Sequence, residues 1–389
     1  GFLGVFKYYN FFASSFSEML TGVGLKTNPI LLDLVLPVGI SFYTFHGLSY
    51  IIDIYYKRIT SERNFVDYSL FVSYFPLLVA GPIERATHLL PQVKVKRTFD
   101  YEKAKEGVYQ IVWGLVKKVV IADSCAVYAN EIFNHYPSMN SYSLILGAVY
   151  FAFQIYGDFS GYSDIALGTS KLFGIDLLRN FNYPYFSRDI AEFWRRWHIS
   201  LSSWFRDYLY IPLGGNNGGM WFKIRNTFII FLVSGFWHGA NMTYVAWGFI
   251  NAMYFLPLLV LNKNRKNVDD FTIGFDWSSI KIVLNILVTF GITCLAWIFF
   301  RAKTVTDAWL YIERMITNQH FEKQYFTISR YNYELLALVV IFVLVEWNNR
   351  KKVEPISGKY SWFKLGLCLA AIIALGVFSD YKEFIYFQF

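Results

Sequence analysis

The sequence carries little charge for its length. Charged residues make up 16 % of its 389 residues, whereas soluble domains contain about 25 %. Hydrophobic residues make up 55 % and aromatic residues 21 %. This composition excludes an ordinary soluble domain. It predicts an all-α membrane protein with several spans, because each span must satisfy its own backbone in lipid and no strand-type alternation is sustained.

Cysteine is also scarce. The three cysteines, Cys125, Cys294 and Cys368, are too few and too far apart for a disulfide framework or a zinc site. We therefore expect no bound metal. Cys294 and Cys368 lie in apolar segments and are interpreted as packing residues, with a role as acyl-carrying nucleophiles as the alternative.

The charges that are present favour lysine and arginine, which gives a net charge of +8. No nucleic-acid-binding motif accompanies this excess, so it does not indicate a nucleic-acid partner. In a membrane protein the excess predicts basic cytoplasmic loops that meet anionic lipid. The segments 263–266 and 350–352 are candidates for such loops.

Long apolar segments occupy much of the chain. The clearest, 282–300, is uncharged, is bounded by Lys281 and Arg301, and has about the length of one bilayer crossing. Residues 102–123 predict a helix that is amphipathic at its start and is interfacial or tilted. No tandem repeat or soluble appendage interrupts the pattern. The other apolar segments are 29–54, 65–81, 142–174, 227–261, 335–345 and 361–379.

One uncharged segment contains a histidine. His238 lies in the motif SGFWHG, within a run that is too long for one membrane helix of about 20 residues. Gly235, Gly239 and Asn241 predict a break near the middle of the run. An ionisable side chain at membrane depth is costly, which indicates a functional residue, and burial favours the neutral imidazole that accepts a proton. The alternative is a core histidine hydrogen-bonded between helices.

A second histidine lies in the tryptophan-rich stretch 188–208. Apolar residues recur there at helical spacing, with polar residues opposite, which predicts one amphipathic helix in the headgroup plane or at the mouth of a polar cavity. His198 is expected at the edge of the apolar face, between apolar surroundings and water. An interfacial anchor with an incidental histidine is the alternative. The apolar face comprises Ile190, Phe193, Trp194, Trp197, Leu201, Trp204, Phe205 and Tyr208.

With three further motifs, these two segments make the chain resemble the membrane-bound O-acyltransferase (MBOAT) family. The motifs are LPVGISFYTF at 36–45, YFPLLVAGPI at 74–83 and YGDFSGYSD at 156–164. Within the family, the similarity is to the integral-membrane subunits that O-acetylate alginate and other exported bacterial glycans. The resemblance implies a polytopic helical fold with interfacial and broken helices around a central tunnel.

The resemblance also implies a single MBOAT-like transmembrane domain over residues 1–389. Family members carry further apolar helices before the segment that corresponds to 6–10. The N-terminal spans of the family are therefore expected to be missing from this chain.

By this resemblance His238 corresponds to the catalytic histidine of the family and His198 to a second, more variable polar position. We predict that His238 takes the proton of an acceptor hydroxyl and gives it to the departing thiolate, while His198 positions the acceptor or polarises the carbonyl. Trp237, Trp197, Asp158 and Asn180 are predicted to bind substrate. For Asp158, orienting a histidine is an alternative, and a structural role in holding helices together is favoured over both.

The resemblance implies an O-acyltransferase of the bacterial inner membrane. Acetyl-CoA or another acyl thioester is the expected donor, with no tightly bound cofactor, and an exported polysaccharide is the expected acceptor. A periplasmic esterase-like protein and membrane lipid are expected partners. Direct transfer is the simplest route because no serine or cysteine pairs convincingly with His238, and an acyl-enzyme or a relay to the partner is the alternative.

Two other functions stay open. A D-alanyl transfer protein for teichoic acids has the same fold and takes its acyl group from a carrier protein. A transporter or channel would use the buried histidines to relay protons or to line a pore, although no internal repeat with paired broken helices is found. If the donor is inside and the acceptor outside, both substrates must reach one site from opposite faces of the membrane.

Overall fold

The computed structural model describes residues 3–25, 27–34, 37–272, 274, 276–317, 334–352, 356–378 and 384. In these residues the chain forms α-helices, with short 3₁₀ and π segments and no β-strand. The predicted all-α class is therefore confirmed. The α-helices are α1 (Tyr9–Gly22), α2 (Ile40–Tyr55), α3 (Phe65–Val72), α4 (Ala86–Lys94), α5 (Tyr101–Leu115), α6 (Asp123–Asn134), α7 (Ser141–Leu172), α8 (Ile190–Arg196), α9 (Ile199–Phe205), α10 (Gly219–His238), α11 (Met242–Val260), α12 (Trp277–Arg301), α13 (Val305–Thr317), α14 (Glu334–Asn349) and α15 (Ser361–Leu375).

Five of the α-helices in the described residues start according to a local rule of the sequence. Several helices begin after an Asn or Asp whose side-chain oxygen accepts a hydrogen bond from a backbone N–H of the first turn, which satisfies a donor that the helix itself leaves free. These capping residues are Asn64, Asp100, Asn140, Asp189 and Asn241.

The longest helix, α7, forms the centre of the fold. It contains 32 residues, which corresponds to about 48 Å, and it packs against α5, α6, α12 and α13. It occupies the apolar segment predicted at 142–174, and most of its length is buried. The motif at 156–164 therefore lies inside the helical core.

Glycines allow α5 and α7 to approach each other closely. A Cβ added at Gly107 would lie 2.6 Å from the carbonyl oxygen of Gly168, and one at Gly114 would lie 2.6 Å from that of Gly161. In the other direction, a Cβ at Gly161 would lie 2.8 Å from the carbonyl oxygen of Gly114. Small residues at such contacts let helix backbones pack directly.

The apolar run at 227–261 is broken, as predicted. Helix α10 ends at His238, Gly239 is extended, and α11 begins at Met242 with Asn241 as its cap. The two helices form a tight hairpin, because a Cβ at Gly235 or Gly248 would collide with a backbone carbonyl of the other helix.

Other predicted segments divide differently. The helix predicted at 102–123 is longer, since α5, a π segment (Val116–Ala122) and α6 follow without a gap. The segment 65–81 was expected as one apolar unit, but it contains the short α3 and a 3₁₀ turn (Phe75–Leu77) with Pro76 inside. Proline removes a backbone donor, which explains the end of the α-helix.

The prediction of one amphipathic helix over 188–208 is wrong. Helix α8 ends at Arg196, and α9 begins only at Ile199. His198 takes a left-handed backbone conformation, with φ 45° and ψ 53°. It is 2 % exposed, and the predicted place at the edge of an apolar face is therefore also wrong.

Two helices, α11 and α12, are long and apolar enough to cross a membrane, and α15 is a shorter apolar helix. Helix α12 extends the segment predicted at 282–300 by a few residues at its start. At one end of the fold, which we call the basic end, the loop at 262–272 meets the end of α14, where the Arg350 guanidinium lies 5.9 Å from the ring of Phe271. At the opposite end, Asn241 donates a hydrogen bond to the carbonyl oxygen of Lys303.

The close α5–α7 contact can be tested at Gly168. We expect Gly168→Ala to lower the free energy of unfolding by about 1–3 kcal/mol, because the added methyl group collides with the backbone of α5. Gly291→Ala on α12 is the matched control, since a Cβ there meets nothing within 4 Å. Thermal unfolding in detergent should show a clear loss for Gly168→Ala only. Equal melting temperatures for the two variants would contradict the contact.

Candidate functional site

His238 is the last residue of α10 and lies in an aromatic pocket. Its ring centroid is 4.8 Å from that of Trp237, 5.3 Å from that of Trp247 on α11 and 5.1 Å from that of Phe300 on α12. Three helices thus supply the walls of the pocket. These rings give the imidazole largely apolar surroundings, and His238 is half-buried.

His198 is held by the side chain of Asn180. The amide nitrogen Nδ2 of Asn180 donates to the carbonyl oxygen of Gly81 and to Ser163 Oγ, each at 3.2 Å. This fixes the amide orientation, so Oδ1 is the acceptor for His198 Nδ1 at 3.0 Å and for Ser200 Oγ at 2.9 Å.

This arrangement also fixes the neutral tautomer of His198. Because Nδ1 must donate its proton to Asn180, the other nitrogen, Nε2, carries the lone pair in the neutral imidazole. That nitrogen is buried and has no hydrogen-bond partner among the residues that the structure describes. His198 therefore presents a hydrogen-bond acceptor, not a donor.

The break between α8 and α9 is stabilised by residues 180–182, which lie before α8 in the chain. The N–H of Ile199 donates to the carbonyl oxygen of Asn180, and the N–H of Asn182 donates to that of Arg196, each at 2.9 Å. Residues 180–182 thus satisfy backbone groups that a continuous helix would pair within itself. The same segment also supplies the side chain that holds His198.

Trp237 connects the two histidines. Its ring centroid lies 6.3 Å from that of His198 and 4.8 Å from that of His238. Phe159 of α7 contacts the other side of His198 at 4.7 Å. The structure thus brings together four of the predicted residues: His238, His198, Trp237 and Asn180.

The other two predicted residues lie in different surroundings. Trp197 is buried in the aromatic core, 5.1 Å from the ring of Trp297. Asp158 lies 2.8 Å from the ammonium group of Lys118, which links α7 to the π segment at Val116–Ala122. This ion pair favours the helix-tying alternative for Asp158, and its role in substrate binding stays a prediction.

The sequence did not reveal the role of the loop at 81–85. Its Ile83 N–H donates to Ser200 Oγ at 2.8 Å. Glu84 is fully buried, and its carboxylate accepts from the N–H of Leu178 at 2.5 Å and lies 2.7 Å from His88 Nδ1. The loop therefore holds both the 178–180 segment and the start of α9. The sequence shows only an acidic residue, Glu84, shortly after Gly81 and Pro82.

Two cavities open near these residues. An apolar groove of about 370 Å³ lies between α8, α9, α10 and α11, and it is lined by Phe231 and Ser234, with Arg195, Arg206 and Arg265 among its polar groups. A polar cavity of about 170 Å³ on the other side of Asn180 contains Glu346 and the ion pair of Lys117 with Asp164. No group of three or more metal-ligating side chains occurs among the described residues.

Comparisons with known proteins identify the family of this chain. The model of the membrane-bound O-acyltransferase family matches residues 55–300. The chain is 42 % identical over 315 residues to a probable alginate O-acetylase of Pseudomonas aeruginosa, which covers 81 % of this chain and 58 % of the relative. A peptidoglycan O-acetyltransferase of Helicobacter pylori is 37 % identical over 340 residues, with 81 % and 62 % covered.

A more distant relative is a teichoic acid D-alanyltransferase of Streptococcus thermophilus, which is 29 % identical over 332 residues and is covered, like this chain, to 77 %. The chain spans less than two thirds of the length of the alginate O-acetylase from Pseudomonas aeruginosa. The similarity to that protein therefore concerns only part of its length.

The role of Asn180 can be tested by removing its side chain. We expect Asn180→Ala to lower the free energy of unfolding by about 2–3 kcal/mol, because it leaves buried groups of Gly81, Ser163, Ser200 and His198 without their partner. Thermal unfolding in detergent measures the effect. Asn182→Ala is the control, because the Asn182 side-chain oxygen has no hydrogen-bond partner in the described part of the chain. If both variants melt alike, Asn180 does not hold the site.

The Glu84–His88 pair predicts a dependence of stability on pH. The hydrogen bond to the Glu84 carboxylate raises the pKa of His88, although partial burial opposes the shift. A raised pKa in the folded protein adds stability that is fully present below the unfolded value of about 6.5 and is lost as the pH rises through the folded value.

We therefore expect His88→Gln to lower the melting temperature relative to wild type more at pH 5.5 than at pH 8.5. The glutamine can keep a neutral hydrogen bond but cannot carry the charge. A melting-temperature difference that stays constant between these two pH values would show that the pair contributes nothing through protonation.

Proposed function

Because this chain belongs to the membrane-bound O-acyltransferase family, we propose that it transfers an acetyl group from a cytoplasmic thioester to hydroxyl groups of an exported polysaccharide. Transfer occurs directly or through a periplasmic esterase-like partner. The relatives named as O-acetylases or O-acetyltransferases are 37–42 % identical to this chain. The D-alanyltransferases are 27–29 % identical, so D-alanyl transfer from a carrier protein is the second candidate.

The observation that carries the proposal is the pairing of two histidines at breaks between helices, the buried His198 and the half-buried His238. His238 ends α10 and His198 precedes α9, and both rings contact Trp237. An acyl thioester is already activated, so the enzyme must deprotonate the acceptor and exclude water. An imidazole surrounded by aromatic rings suits both tasks.

In the proposed reaction His238 accepts the proton of the acceptor hydroxyl as the oxygen attacks the thioester carbonyl carbon. The tetrahedral intermediate then collapses, the carbon–sulfur bond breaks, and the departing thiolate takes the proton from His238. The products are the acetyl ester and the free thiol. No net proton is gained or lost, and no metal is needed to balance the reaction.

His198 is assigned to the acceptor. A neutral His198 donates its only ring proton, on Nδ1, to Asn180 and has none left for a carbonyl oxygen. This argues against polarisation of the thioester by His198. Its Nε2 lone pair can accept a hydrogen bond from a sugar hydroxyl. We propose that His198 orients that hydroxyl toward His238.

The apolar groove beside α10 is the proposed entry of the donor. Ser234, which lines this groove, lies one helical turn before His238. Arg195, Arg206 and Arg265 suit the phosphates of a pantetheine-linked thioester, because guanidinium groups bind phosphate oxygens with two hydrogen bonds. Coenzyme A and a carrier protein both bear such an arm, so the groove accommodates either donor.

The orientation follows from the basic loops. We propose that the basic end faces the cytoplasm, because Arg265 and Arg350 lie there and cytoplasmic loops of membrane proteins are enriched in Lys and Arg. The apolar groove contains Arg265 of the basic end. His238 lies at the break between α10 and α11, near the opposite end. A multi-pass protein of the bacterial inner membrane would thus receive the thioester from inside and the glycan from outside.

The test is acetyl transfer from radiolabelled acetyl-CoA in membranes that contain the full-length protein and its periplasmic partners. We expect His238→Ala to lower the labelling of polysaccharide or partner at least about 10³-fold, because the proposed general base is lost. His198→Ala should cause a smaller loss, of about 10-fold to 100-fold, because it removes only one hydrogen bond to the acceptor. Each variant is compared at equal membrane levels.

His135→Ala is the matched control, because this exposed histidine lies at the end of α6 away from the site. It should label like wild type. Full labelling by His238→Ala would overturn the assignment of the base. If wild type transfers only a D-alanyl group from a carrier protein, the second candidate is correct.

A further inference from the structure

The end of α10 is bound by residues from the start of the chain. The ammonium group of Lys7 lies 2.9 Å from the carbonyl oxygen of Trp237 and 3.1 Å from that of His238. The hydroxyl of Tyr8 donates to the carbonyl oxygen of Phe236 at 3.2 Å. Three successive carbonyl groups at the end of this helix therefore receive hydrogen bonds from two neighbouring side chains.

These carbonyl groups need partners from outside the helix. The last four carbonyls of an α-helix have no intrahelical donor, and Gly239 turns the chain into an extended conformation directly after His238. Leaving such a group unsatisfied in apolar surroundings costs about 1–3 kcal/mol. A cation at this position also interacts favourably with the negative end of the helix dipole.

The contact is specific. Tyr8 is buried, and its ring stacks on Phe236 with centroids 4.4 Å apart and an interplanar angle of 20°. This stacking fixes the short π segment Gly4–Tyr8, which carries Lys7 and precedes α1. Lys7 lies about 230 residues from its partners in sequence, so it is a tertiary contact and not a local cap.

We infer that Lys7 is a positioning residue for His238, because its ammonium group clamps the backbone from which the imidazole projects. Lys7 acts through this backbone and is not assigned a contact with substrate. The kinetic consequences of this inference rest on the proposed function. The contact of Lys7 with the end of α10, which we call the clamp, is a property of the fold. One test therefore measures activity and the other does not.

The structural test is hydrogen exchange measured by mass spectrometry on the purified full-length protein. In Lys7→Met we expect amides in 235–239 to exchange at least about tenfold faster than in wild type, because the end of α10 is released. Lys7→Arg should stay close to wild type, since the guanidinium can bind the same carbonyl groups. Lys96→Met is the matched control, because Lys96 is exposed and remote from α10.

The kinetic test uses the acetyl-transfer assay. We expect Lys7→Met to lower kcat about tenfold or more with little change in KM for the donor, and Lys7→Arg to restore most of it. Tyr8→Phe should cause a smaller loss, because it removes the hydroxyl that binds the carbonyl oxygens of Phe236 and Trp237 but leaves the ammonium group in place. A general loss of folding would instead lower the amount of protein and accelerate exchange throughout the chain.

The outcomes separate the two ideas. If exchange at 235–239 is the same in wild type and Lys7→Met, the clamp is wrong whatever the activity. If exchange rises but kcat is unchanged, Lys7 caps the helix without positioning the base, and the inference is overturned. If wild type shows no transfer while exchange rises as expected, the proposed function fails and the clamp stands.

Discussion

The site depends on one constraint: both histidines lie where a helix stops inside the protein, and the backbone groups freed there must be paired. At His198 the partners come from residues 180–182, and at His238 they come from Lys7 and Tyr8. Each break therefore requires a distant segment to be in place. The fold around α7 brings those segments together, since Asn180 also binds Ser163 on that helix.

The sequence predicted one of the two breaks because its cause is local. Gly239 and Asn241 disfavour continuation of α10, and Asn241 then caps α11. The break at His198 has no such signal, since Trp197 and Ile199 fit the helical periodicity well. It becomes favourable only through hydrogen bonds to Asn180 and Asn182, which no periodicity within 188–208 can reveal.

The same distinction applies to the side chains of the site. His238 and His198 stood out as ionisable groups in apolar or aromatic segments, and the structure brings them together around Trp237. The structure shows Asn180 bound to His198, which the sequence did not indicate, and its predicted role in substrate binding stays a prediction. The roles of Glu84 and Lys7 were not predicted, because the backbone groups that they hold lie about 90 and 230 residues away.

The left-handed backbone of His198 indicates what that position favours. Such a conformation costs a side chain of this kind about 1 kcal/mol or more, whereas glycine adopts it freely. A sequence selected only for stability would have glycine at this position between α8 and α9. The imidazole at this position therefore lowers the free energy of unfolding but keeps a particular chemical group in the site. A substitution chosen there only to raise heat resistance would remove that group first.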